Sequence, residues 1–172
     1  MAYPLVGPNQ NRFLNLIESY PASSFWITGD HFESLYAFSE KAKSRGLIVN
    51  ALLDINVGEN RTGITFDRLF DMYSICHGLE GLHLDGLHCY DGIRFLLSES
   101  ERADQVRAIN AQVQEIKQRI EASGMTCRKV VLGGTPSFCF HAVMSEDYLS
   151  PGSAFLFDWG SKRKYPYLRL TY

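Results

Sequence analysis

Ala51-Leu52-Leu53-Asp54-Ile55-Asn56-Val57-Gly58-Glu59-Asn60-Arg61-Thr62-Gly63-Ile64 decides the fold. It reads as a buried strand running straight into a glycine-bracketed loop. Leu53, Ile55 and Val57 alternate with Leu52, Asp54 and Asn56, and a period of two is the signature of a strand. One face is apolar throughout. The other carries Asp54 and Asn56, which suits the inside of a barrel near its mouth. Gly58 and Gly63 permit tight turns. Between them Arg61 presents a fixed fork of donors, suited to a planar anion or a phenolic oxygen. Asp54 reads as a buried carboxylate that orders Arg61 or its loop, with a general base as the alternative.

Working outward, the chain repeats strand, helix, strand, helix. Residues 1–8 read as the tail of a strand and a loop. Asn9 is placed to cap a helix to about Tyr20, which Pro21 ends. Ser24 to Thr28 is a short strand. Asp30 is placed to cap a helix over about 31–45, with Glu33 completing a capping box and Gly46 closing it. After the opening stretch, a helix runs from Thr65 or Phe66 to about His77. Leu82 to Gly92 is the next strand, with Gly86, His88 and Tyr90 on one face and Leu87 and Cys89 on the other. A long helix over about 99–123 keeps Val106, Ile109, Val113, Ile116 and Ile120 at helical spacing. Arg128 to Leu132 is a strand ending in Gly133-Gly134-Thr135-Pro136-Ser137. A short helix or turn around 141–148 precedes a last strand, Ser153 to Asp158.

This order predicts an α/β fold with parallel strands, right-handed crossovers and outer helices. About six βα units are countable, and a complete (β/α)₈ barrel needs roughly 250 residues. With 172 residues, the expectation is one domain, residues 1–172, forming an incomplete TIM (β/α)₈ barrel of about strands three to eight. Such a barrel cannot close, and its two edges expose backbone groups.

Composition narrows the function. A net charge of −2 gives no reason to expect nucleic acid. No apolar run approaches the ~20 residues of a membrane span. The first residues lack the pattern of a secretory leader. Cys76, Cys89, Cys127 and Cys139 form no closely spaced pair, so reduced thiols in a cytoplasmic protein are expected rather than structural zinc.

Function is expected at the C-terminal ends of the strands, with a phosphate site after the last two. Gly133-Gly134-Thr135 and Pro151-Gly152-Ser153 offer backbone N–H groups there, with the Thr135 and Ser153 hydroxyls adding donors. Tyr90 reads as a ligand-ring contact or as a half-buried tyrosine with a satisfied hydroxyl. Strand alternation sets His83 and Cys89 away from His88, so the three do not converge on a metal. His88 reads as a hydrogen-bonded barrel histidine. His31 and His141 look structural or exposed.

Together these motifs resemble a known family. Asp54 to Gly63 resembles the D-x-G-x-x-R-x-G loop of fold-type III pyridoxal-phosphate enzymes, in the branch of D-threonine aldolase and D-serine dehydratase. Ala2 to Gly7 is similar to that branch's third strand. Gly86-Leu87-His88-Cys89-Tyr90-Asp91-Gly92 resembles its G-L-x-x-Y-x-G. Gly133 to Pro136 resembles its glycine-rich phosphate loop, and Pro151 to Asp158 its P-G-x-Y-x-F-x-D.

The resemblance implies that Arg61 contacts the cofactor ring and that Tyr90 lines it. It implies that Gly133, Gly134, Thr135, Gly152 and Ser153 hold the 5′-phosphate of pyridoxal phosphate. It implies a lyase acting at the α-carbon of a D-amino acid, in a homodimer of the full-length family. The family's cofactor-bearing lysine lies at the end of the first barrel strand, and no lysine here matches that position. The C-terminal β domain with its divalent metal also has no counterpart. Ser150 stands where the alanine racemase branch has arginine, which argues against a racemase. The expectation is a fragment truncated at both ends, without catalytic residues of its own. The alternative is a non-catalytic partial barrel that binds the cofactor or another phosphate, or one that binds nothing.

Overall fold

The computed structural model describes residues 5–91, 98–144 and 148–152, and Tyr165. Five strands form one parallel sheet in the order β1 (Trp26–Gly29), β2 (Val49–Asp54), β3 (Leu82–Cys89), β4 (Lys129–Leu132) and β5 (Tyr148–Leu149). The helices α1 (Pro8–Ser19), α2 (Phe32–Ser44), α3 (Phe66–His77), α4 (Glu99–Ala122) and α5 (Phe138–Met144) alternate with them. Strand order following chain order is what successive βα units of a barrel produce. The described sheet is thus an arc of an α/β barrel, as the alternating pattern implied.

One face of the sheet packs on the helices. Ile27, Ala51, Leu53, Leu84, Leu87, Val130 and Leu132 join Leu35, Phe38, Leu69, Val113 and Ile120 in one core cluster. The opposite, inner face carries Trp26, Thr28, Asn50, Leu52, Asp54, His88, Lys129 and Val131, as the register requires. Lys129 Nζ lies 5.2 Å from the centre of the Trp26 ring and 4.8 Å from that of Tyr148, and donates to the Tyr148 hydroxyl at 3.2 Å. The amine therefore fills the floor of the inner face, at the N-terminal end of β4.

A single extra residue in β3 changes the expected facing of its side chains. Ala51 pairs with Leu84 and Leu52 with Gly86, so Asp85 has no partner in β2. Such a bulge resets the alternation by one. His83, paired with Asn50, shares the inner face with His88, paired with Asp54. Simple alternation had set the two on opposite faces. His83 still lies far from His88, held at the strand start by Arg128, whose guanidinium donates to His83 Nε2 (2.8 Å) and Asp85 Oδ1 (2.7 Å). Gly86 sits where the bulge brings two backbones together: a Cβ there would fall 1.7 Å from the Lys129 carbonyl oxygen.

The helix starts also differ from expectation. Gly7 caps α1 with Pro8 at its first turn, so Asn9 lies inside the helix. His31 rather than Asp30 is the N-cap of α2, without a side-chain cap bond. Glu33 pairs with His31 at 3.0 Å instead of forming a capping box. The true capping box opens α4, where Ser98 and Glu101 satisfy each other's backbone N–H groups. The short helix or turn expected around 141–148 is met by α5 (Phe138–Met144), while Tyr148 already belongs to strand β5. The expected strand at 153–158, Gly92 and Ser153 lie outside the described residues.

Candidate functional site

The loop after β2 is held from three sides. Its base folds back on itself, with Ile64 N–H donating to the Asp54 carbonyl and Asn56 N–H to the Ile64 carbonyl, both at 2.9 Å. Asn56 is engaged within the loop. Its Oδ1 accepts from the N–H groups of Gly58 (3.0 Å) and Asn60 (3.2 Å), and its amide donates to Asn60 Oδ1 at 3.0 Å. Asp30 Oδ2 accepts from Gly63 N–H at 2.8 Å, which is where the missing cap residue is engaged. Asp54 Oδ2 accepts from the Thr62 hydroxyl at 2.7 Å. The carboxylate thus orders the loop through Thr62, one residue from Arg61. Gly63 has φ +102°, and a Cβ there would lie 2.4 Å from the Asn56 nitrogen, so only glycine closes this loop.

The tip of the loop delivers Arg61 to Tyr90. The guanidinium carbon sits 4.4 Å from the centre of the Tyr90 ring, a cation–π contact. Below them Asp54 and His88 are register partners on the inner face, with His88 Nδ1 and Asp54 Oδ1 2.6 Å apart. His88 is a hydrogen-bonded barrel histidine, as expected.

The glycine turn after β4 begins beside Tyr90. Gly133 N–H donates to the Cys89 carbonyl at 3.1 Å, extending the sheet by one bond. Gly134 N–H donates to Ser137 Oγ at 3.1 Å. Both donors are therefore engaged within the chain. The Thr135 hydroxyl donates to the Pro151 carbonyl at 2.5 Å and joins the two glycine loops. Gly152 packs so closely that a Cβ would meet Thr135 Oγ1 at 3.3 Å. Arg61, Tyr90, Gly133, Gly134, Thr135 and Gly152 thus all lie at the C-terminal end of the sheet.

A buried polar cluster underpins that turn. Ser137 donates to Asp91 Oδ1; His141 Nε2 lies 3.0 Å from Asp91 Oδ2, and His141 Nδ1 lies 2.7 Å from Asn110 Oδ1. His141 is fully buried, which overturns the exposed alternative. Serine, aspartate and histidine here do not form a nucleophilic triad, because the aspartate stands between the other two. The cluster ties β3, α4 and α5 to the glycine turn. Sequence reasoning missed Asp30, Asp91, Asn110 and Ser137, since each acts on a partner distant in the chain, and Thr62, whose hydroxyl meets Asp54 only once the loop has closed.

Lysines lie elsewhere. Lys41 donates to Gln10, Lys43 pairs with Glu80, Lys117 is on α4 and Lys129 fills the floor. Among the described residues no lysine amine stands at the rim, and no three His, Cys, Asp or Glu side chains gather as a metal site. A cavity of about 540 Å³ lies on the outer side of the Arg61 loop, lined by Asp30, His31, Gly63, Arg68 and Asp71 among others. It takes in neither Tyr90 nor the glycine turns. Among the described residues no helix is long and apolar enough to cross a membrane.

Comparison with known proteins bears on the fold and the family. The chain is 26% identical over 140 residues to D-threonine aldolase from Arthrobacter sp., covering 80% of this chain and 36% of that protein. The crystal structure of D-threonine aldolase from Filomicrobium marinum superposes with a TM-score of 0.77 at 24% identity, over 94% of this chain and 44% of that one. A variant of D-threo-3-hydroxyaspartate dehydratase gives 0.73 at 18% identity, over 99% and 43%. PipY of Synechococcus elongatus, solved with pyridoxal phosphate bound, gives 0.60 at 15%, over 81% and 62%. The chain thus spans less than half the length of each of the two aldolases. Residues 9–158 match the family described as "Alanine racemase, N-terminal domain". That match covers most of the molecule, and the protein belongs to the alanine racemase N-terminal domain family.

Proposed function

We propose that this chain carries the ring-facing and phosphate-facing part of the pyridoxal-phosphate site of a D-amino-acid lyase of the D-threonine aldolase or D-serine dehydratase type. The observation that carries this reading is the placement of Arg61 over Tyr90 at the rim, beside the Gly133 turn. A guanidinium fork and an aromatic face suit a planar ring bearing an ionised oxygen. The Gly133-Gly134-Thr135 turn, with Gly152 and Ser153, would hold the 5′-phosphate. Gly133 and Gly134 serve there by lacking side chains, since their N–H groups are engaged. When bound, the cofactor supplies an electron sink for chemistry at the α-carbon. The family likeness to D-threonine aldolase supports a D-amino acid with a β-hydroxyl as the substrate class.

The positions of the described lysines favour a second statement about the isolated chain: it binds the cofactor without turning substrate over. Both parts are tested by titrating the protein with pyridoxal phosphate, with inorganic phosphate as competitor, and assaying D-threonine and D-serine. Saturable binding that phosphate relieves, without product, is expected. Absence of binding overturns the site, and turnover overturns the non-catalytic statement.

A further inference from the structure

We propose that His88 is the proton-accepting contact for a ligand seated on the Arg61–Tyr90 rim. This rests on the reading of that rim as a site for a phosphorylated hydroxypyridine ring. The pair with Asp54 is built on register: β2 and β3 bring the two residues opposite each other on the inner face, near the strand ends. Asp54 Oδ2 already accepts from Thr62 and Oδ1 faces His88 Nδ1 at 2.6 Å. An ionised carboxylate only accepts, so Nδ1 carries the proton and donates. In the neutral form of the ring, that tautomer puts the lone pair on Nε2. Among the described residues no group bonds to that nitrogen, and the His88 side chain is 18% exposed. His88 is half-buried rather than sealed in the core, so Nε2 is open to a bonding partner from outside the chain.

Its surroundings show why the site is suited to receive a proton. Tyr90 follows His88 by two residues, and Arg61 lies over Tyr90. His83, Asp85 and Arg128 are engaged with one another at the far end of β3. Asp54 is thus the carboxylate that faces the imidazole. When a ligand O–H or N–H meets Nε2, that bond breaks, Nε2–H forms, and the electron pair stays on the ligand. Asp54 offsets the positive charge left on the ring. The same carboxylate fixes Thr62 and hence the Arg61 loop, so the loop and the imidazole are held by one group.

Ring nitrogen NMR on the uniformly ¹⁵N-labelled chain tests this, with pyridoxine 5′-phosphate as the probe because it lacks the reactive aldehyde. In the free protein, His88 Nε2 should show the shift of an unprotonated nitrogen. The probe should move it toward the protonated value and move the backbone signals of residues 58–63. Inorganic phosphate should leave Nε2 in place. His88→Gln should keep the fold, judged by circular dichroism, and weaken the probe roughly 10-fold, the worth of one charge-assisted hydrogen bond. If the loop signals move while Nε2 does not, or if the variant binds like the parent, the proposal fails and the rim site stands. If no signal moves, both fail.

Discussion

Gly63 is the residue on which the Arg61 loop closes. Its φ of +102° and the 2.4 Å approach to the Asn56 nitrogen leave no room for a side chain. Gly63→Ala should cost about 2 kcal/mol or more in chemical denaturation, from the strained φ together with the displaced backbone. It should also separate Arg61 from Tyr90, which the environment of the tyrosine ring reports. Cys76 makes a second prediction. Burial pushes its thiol up to about 11. The fold therefore holds this proton more tightly than the unfolded chain does. Its contribution is complete below the ordinary thiol range near pH 8.5 and is lost as the pH rises toward 11. Urea midpoints should fall over that window, and Cys76→Ala should flatten the slope. Tyr73, raised chiefly by burial and next by Cys127, adds a fall of the same sign at higher pH. The need for glycine at 63 was legible as a turn signal, whereas the environments of Cys76 and Tyr73 were not, because they arise from groups far apart along the chain.

At the scale of elements, the helix α4 depends on its first turn. Ser98→Ala removes the capping-box oxygen and should cost about 1 kcal/mol, measurable as a lower midpoint with an unchanged slope. The Asp91–His141 contact is deeper, since both side chains are almost wholly buried. His141→Ala leaves Asp91 facing a cavity and should cost about 3 kcal/mol or more, with the Gly133 turn loosened first in hydrogen exchange. Strand and helix order was legible, because apolar periodicity is local and survives without tertiary context. The helix starts of α1 and α2 were less so. Asn9 and Asp30 have capping chemistry, but Pro8 pre-sets one helix and the loop amide of Gly63 claims the other carboxylate. The short strand β5 was hidden, since two residues carry no period.

The described residues form an arc of parallel strands with helices outside and polar groups at one rim. Its chemistry is legible as motifs but its completeness is not. Arg61 and Tyr90 were recognisable from their glycine-flanked settings, and the structure places them in contact. The described lysines sit on outer helices or on the floor, where Lys129 is enclosed by Trp26 and Tyr148. Treating the protein with pyridoxal phosphate and then borohydride should therefore give no stoichiometric adduct at a single lysine by mass spectrometry. A unique adduct would place an amine at the rim.

The unpaired Asp85 in β3 makes the site a matter of counting. Excising that one residue would set Leu84 and Gly86 in plain alternation, and His88 would stay opposite Asp54. Ironing the strand flat with Asp85 still in it would do the opposite: everything beyond would turn by half a turn, with His88 in the helical layer and Leu87 above the cavity floor. Loss of Asp85 should accordingly cost the tie to Arg128 and not the placing of His88.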